Sequence, residues 1–154
     1  MRQVCSLLLA LALFAQQPSA DWPDYQQTAN TLIFFKVRDG WMMIPEEHVG
    51  SAGRDLALIS VPPNAKFVVQ CTRATLLDLV LVRMDQKHPR TMPARPREVK
   101  IHMLGQRSRD YTQWAIEPDG IFALEEGKQY AFVSRAGQEK ESDPGYMFRF
   151  RVRE

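Results

Sequence analysis

The chain has 154 residues, with 20 Lys and Arg against 18 Asp and Glu, for a formal net charge of +2. That length suits one domain with one real core. The near balance of charge excludes the strong basic excess of a dedicated nucleic-acid binder.

Met1-Arg2 is a short basic start, Leu7 to Ala15 is an unbroken apolar and small-residue run, and Pro18-Ser19-Ala20 precedes the polar Asp21-Trp22-Pro23. That order reads as a secretory signal peptide over residues 1–20, cleaved near Ala20. The run is too short to span a bilayer, which needs about 20 apolar residues. Export to a periplasmic or extracellular space is the expectation. Removing Arg2 lowers the formal net charge from +2 to +1. Cys5 leaves with the leader and Cys71 remains, so no internal disulfide is expected. Cys71 closes the apolar run Phe67-Val68-Val69-Gln70-Cys71, and it reads as a buried, inert thiol.

Residues 21–30 are polar and read as an exposed lead-in to a single domain over 31–154. Thr31 to Val37 and Trp41 to Ile44 read as two strands around Arg38-Asp39-Gly40, because Gly accepts the positive φ of a tight hairpin turn. Pro45 ends the second strand, Trp41 is expected in the core, and residues 46–54 read as a polar loop. Asp55 to Val61, Lys66 to Cys71 and Thr75 to Met84 are the next strands. The last is leucine-rich, but Val80 and Val82 favour a strand buried on both faces over a helix.

Gln86 to Arg97 carries three prolines and reads as a loop. Glu98 to Leu104 alternates, with Val99, Ile101 and Met103 on one face. Tyr111 to Ile116 is a weaker strand, and Pro118-Asp119-Gly120 is a turn. Gln129 to Arg135 alternates, with Tyr130 and Phe132 on one face. Tyr146 to Arg153 places Tyr146, Phe148, Phe150 and Val152 on one face and Met147, Arg149, Arg151 and Arg153 on the other. These are about eight or nine short strands and no helix, which suits an all-β antiparallel β-sandwich, with a small β-barrel as the alternative.

The stretch Leu124-Glu125-Glu126-Gly127-Lys128-Gln129-Tyr130 resembles the tyrosine-corner segment of fibronectin type III and related immunoglobulin-like domains. Glu126 stands where that pattern usually has Pro. The resemblance implies an immunoglobulin-like sandwich in which Leu124, Gly127 and Tyr130 are structural. It implies that the Tyr hydroxyl bonds to backbone upstream of it. Such folds host many unrelated functions, so it implies no activity.

No catalytic motif, glycine-rich phosphate loop or metal-ligand spacing is visible around His48, His88 and His102, and no cofactor is expected. A non-enzymatic binding or accessory module is the expectation. Its candidate contact surface is the basic region of Lys87, His88, Arg90, Arg95, Arg97, Lys100, Arg107 and Arg109. If these loops converge, they suit an anionic protein, glycan or lipid head group. Separately they are a solvated loop. The Arg149, Arg151 and Arg153 stripe reads as a basic outer face that protects an edge strand. Trp22, Trp41, Trp114, Tyr25 and Tyr111 are candidates for a sugar platform. A small hydrolase or inhibitor is the remaining alternative.

Overall fold

The structure is a computed structural model that describes residues 21–48, 58–84, 97–107, 112–120, 124–135 and 146–154. Its elements in chain order are β1 (Leu32–Val37), β2 (Gly40–Ile44), β3 (Glu46–His48), β4 (Ile59–Val61), β5 (Phe67–Cys71), α1 (Arg73–Asp78), β6 (Leu79–Arg83), β7 (Arg97–Val99), β8 (Ile101–Arg107), β9 (Thr112–Pro118), β10 (Gln129–Ser134) and β11 (Tyr146–Val152). The fold is all-β, with two sheets that suit a β-sandwich. Sheet A runs β2-β1-β5-β9-β8. Sheet B runs β3-β11-β10-β6-β7, and β4 also pairs with β11. Pairing is antiparallel, except that β4 lies parallel to β11. No helix among the described residues is long and apolar enough to cross a membrane.

Period-two alternation builds the core. Ile33 and Phe35 of β1, Phe67 and Val69 of β5, and Trp114 and Ile116 of β9 point inward from sheet A. Leu79 and Leu81 of β6, Tyr130 and Phe132 of β10, and Phe148, Phe150 and Val152 of β11 meet them from sheet B. Phe67 ties the layers together. Its ring lies 5.1 Å edge-on from Phe132 and 5.6 Å from Phe150. Such pairs add to the burial energy through ring electrostatics.

The chain changes sheets at short breaks. Pro45 separates β2 in sheet A from β3 in sheet B. Residues 46–48 are thus a strand, where the sequence suggested loop. Lys100 separates β7 in sheet B from β8 in sheet A, so the alternation from Glu98 to Leu104 is two strands and not one. Val99 and Ile101 still pack on the core, but Met103 is exposed beside a β-bulge.

Two further expectations are corrected. Residues 75–84 are not one strand: Thr72 caps the short helix α1 by accepting from the Thr75 N–H at 3.2 Å, and β6 begins only at Leu79. An N-cap hydroxyl satisfies an amide that a helix start leaves without a partner. The core tryptophan is Trp114, whereas Trp41 is half-buried. Trp114 donates to the Cys71 carbonyl at 3.4 Å. Eleven strands stand among the described residues, more than the eight or nine expected, because residues 46–48 add a strand and the switch at Lys100 cuts one run in two.

Strand β11 is also not an edge. It lies between β3 and β10, so strands pair with it on both edges. Arg149 is 6% exposed and pairs with Glu47 at 3.1 Å. Beside it Val80, Val82, Met84, Ala131, Val133 and Met147 form a second buried apolar cluster. Both faces of the middle of sheet B are therefore buried; of the expected basic stripe, Arg149 is buried, Arg151 half-buried and Arg153 exposed.

Candidate functional site

Of the basic region singled out in the sequence, Lys87, His88, Arg90, Arg95 and Arg109 lie outside the described residues. Arg97, Lys100 and Arg107 are described, and the structure separates their roles. Strand β7 is an edge of sheet B and β8 an edge of sheet A, so residues 97–107 form one lateral side of the sandwich. Arg97 and Lys100 are exposed there. The Arg97 guanidinium is 4.0 Å from Glu125, whose carboxylate also accepts from Arg83 at 2.9 Å. Met103 and Leu104 are exposed on the same side.

Arg107 is different, because its charge is occupied within the fold. Its guanidinium donates to the Pro23 carbonyl at 2.9 Å and lies 5.7 Å from the centre of the Trp22 ring. Arg107 therefore holds the N-terminal segment: residues 21–26 are tied to the sheet, although Asp21, Asp24 and Gln26 are exposed. This segment forms a strap on the outer face of sheet A, with Pro23 buried and Trp22 and Tyr25 half-buried.

The floor beneath the strap is one cross-strand row. Leu32 of β1 pairs with Gln70 of β5, Gln70 with Gln113 of β9, and Gln113 with Arg107 of β8. Directly paired residues share a face, so these side chains stand together on the outward side. Gln70 and Gln113 are fully buried there. The Gln70 amide grips the main chain of Gln26 at two points. Its Oε1 accepts from the Gln26 N–H at 3.1 Å, and its Nε2 donates to the Gln26 carbonyl at 2.6 Å. Gln113 Nε2 donates to the Pro23 carbonyl and to Gln70 Oε1, both at 3.2 Å. Gln113 Oε1 is buried with no hydrogen-bond partner. Lys36 completes the clasp, hydrogen-bonding the Asp21 carboxylate while its ammonium lies 5.2 Å from the Trp41 ring centre. That hydrogen bond from Lys36 holds the Asp21 carboxyl below its ordinary value.

The pairing of Gln70 with Gln113 was not legible in the sequence. The one local sign is a Gln inside the apolar run Phe67 to Cys71. Its partner lies 43 residues away.

The residues of the tyrosine-corner segment come together. The Tyr130 hydroxyl, on a buried ring, accepts from the Glu125 N–H at 2.9 Å. Leu124 is buried in the core. Gly127 takes φ +78°, the third place of the Glu125–Lys128 turn closed by Lys128 N–H to the Glu125 carbonyl at 3.2 Å. A positive φ at that place favours Gly. Cys71 is buried, and desolvation pushes its thiol up to about 12, the opposite of an activated nucleophile. No group of His, Cys, Asp and Glu that could hold a metal stands among the described residues. Trp22, Tyr25, Trp41 and Trp114 are half-buried or buried, so they form no row of exposed rings, and Tyr111 lies outside the described residues. No protein-family model, curated protein or solved structure matches this chain.

Proposed function

We propose that the chain is an exported, non-catalytic, immunoglobulin-like β-sandwich that serves as a binding or accessory module for an anionic partner. The observation that carries the reading is the exposure of Arg97 and Lys100 on the lateral side shared by both sheets. A rigid sheet scaffold that presents cations from an edge and its flanking loop is a common way to hold a binding surface. The exposed Met103 and Leu104 add apolar area next to that charge. The immunoglobulin-like assignment is supported by the Tyr130 to Glu125 bond. Export is supported by the order of residues 1–20.

The test of binding changes Arg90, Arg95 and Arg97 together to Ser. Retention is then measured on anionic vesicles, an acidic glycan and an acidic peptide, at low and high salt. Retention should fall with the substitutions and with salt, since exposed charges more than about 10 Å apart are screened near 0.1 M. Retention that survives both overturns the electrostatic reading. N-terminal sequencing of exported protein should begin at Asp21, and intact Met1 protein confined to the cytosol overturns the export reading.

A further inference from the structure

We propose that the outer face of sheet A is a docking groove for an extended segment of a partner polypeptide, and that residues 21–26 are its displaceable resident. The inference rests on the strap alone and not on the basic lateral side.

The groove reads main chain. Gln70 takes both the N–H and the carbonyl of Gln26, while Gln113 and Arg107 converge on the carbonyl of Pro23. Contacts of this kind accept many side chains, because every residue carries the same backbone groups, with proline lacking only the N–H. Two side-chain positions add selectivity. An aromatic ring lies against Arg107 and a carboxylate meets Lys36. The occupant that fits is thus an extended segment with an acidic residue followed by an aromatic one.

The strap is an imperfect ligand for this groove. Gln113 is fully buried, yet its Oε1 has no hydrogen-bond partner. The amide cannot be reversed without giving up its donor bonds to Pro23 and Gln70. The strap residue that Gln113 holds by its carbonyl is Pro23, which has no N–H to offer. A buried acceptor left unmet costs free energy, so an occupant with an ordinary residue at that place binds better than the strap does. The groups that hold Pro23 and Gln26 are amides and a guanidinium, which water solvates when the groove opens, although Leu32, Phe34 and Val68 share that face. Leaving is therefore less costly for this strap than for a segment seated on an apolar floor.

The probe is a labelled eight-residue peptide with the sequence of residues 21–28, made with Pro at the third place and again with Ala there. Each is titrated by fluorescence anisotropy into the full exported chain and into a chain whose strap is loosened by Asp21→Asn and Trp22→Ala. The Ala peptide should bind about tenfold tighter than the Pro peptide, the worth of one hydrogen bond to a buried acceptor. Loosening the strap should tighten both. Gln113→Leu should remove the preference for Ala, with circular dichroism and a retained melting transition showing the variant folded. Equal affinity of the two peptides, no binding of either, or no gain on loosening the strap overturns the proposal. A concentration-dependent dimer that disappears with Gln70→Leu and Gln113→Leu also overturns it, because the groove then takes the strap of a second copy.

Discussion

The outer faces of the two sheets differ in one row, apolar across β6, β10 and β11 on sheet B and amide-lined on sheet A. Sheet B buries Val80, Val82, Ala131, Val133 and Met147 on its outward side, with Arg149 and Glu47 paired beside them. Sheet A buries Phe34 and Val68 outward as well, but its next row is Gln70 and Gln113, whose amides hold the main chain of residues 23 and 26. An apolar face gains from any cover that excludes water, so its hold is strong and undirected. An amide floor gains only from groups that meet its donors and acceptors, so its hold is weaker and geometrically selective. The difference teaches that burial alone does not mark a core. The same low exposure is permanent packing on one sheet and a ligand-like contact on the other.

The comparison breaks most visibly at Met147. Met147→Ala should destabilise the fold by about 2–5 kcal/mol, the range for deleting a large buried apolar side chain. A denaturation midpoint unchanged by that substitution would show that the outward face of sheet B is not a packed layer. On sheet A, Gln113→Ala should cost about 1–3 kcal/mol, since the buried Pro23 carbonyl loses one of its donors. The signature there is local. Amide hydrogen exchange should quicken over residues 22–28 while β10 and β11 keep their protection. Uniform loss of protection across both sheets would make Gln113 an ordinary core residue.

Tyr130→Phe sharpens the contrast from the interior. It removes only the hydroxyl that accepts from Glu125, so it should cost about 0.5–1.5 kcal/mol by urea denaturation. No change in midpoint means that the corner does not pin the β10 entry.

Cys71 gives a pH test of the same burial. Its thiol is held near 12 in the folded protein against an ordinary value of 9.0. The unfolded chain therefore loses the proton first. The contribution is fully present below pH 9 and fades as pH rises toward 12. Cys71→Ala should flatten part of the alkaline decline in melting temperature, and an identical decline in both proteins rules the thiol out. Native Cys71 should also resist a thiol reagent at neutral pH.

The smallest effect belongs to Asp21. Its carboxyl is lowered from 3.8, first by the hydrogen bond from Lys36, so its hold on the strap is present above that pH and fades as the pH falls below it. Tryptophan emission should report a shift in that acid range which Lys36→Met abolishes, and a shift that persists in the variant belongs to another group.

Much of the fold was legible in the residues themselves. The alternation of β10 and β11, the Asp39-Gly40 turn before β2 and the spacing of Leu124, Gly127 and Tyr130 are local signals, acting over a few residues, and each maps onto an observed element. Helix α1 was missed although the Thr72 cap was local, because the leucine-rich run after it reads equally well as strand. Period two tells which residues share a face, but not which sheet the strand joins or what covers its other side. Pro45 and Lys100 looked like an end and a middle, and both are crossings between sheets. Arg149 looked solvated because alternation cannot show that β3 brings Glu47 beside it, next to a buried apolar cluster. The strap is the extreme case. Its contacts with Gln70, Arg107 and Gln113 bridge 44, 84 and 90 residues, and only the folded sheet sets those three side chains in one row beneath Pro23 and Gln26. Short-range pattern determined the elements, and long-range pairing decided which polar groups met.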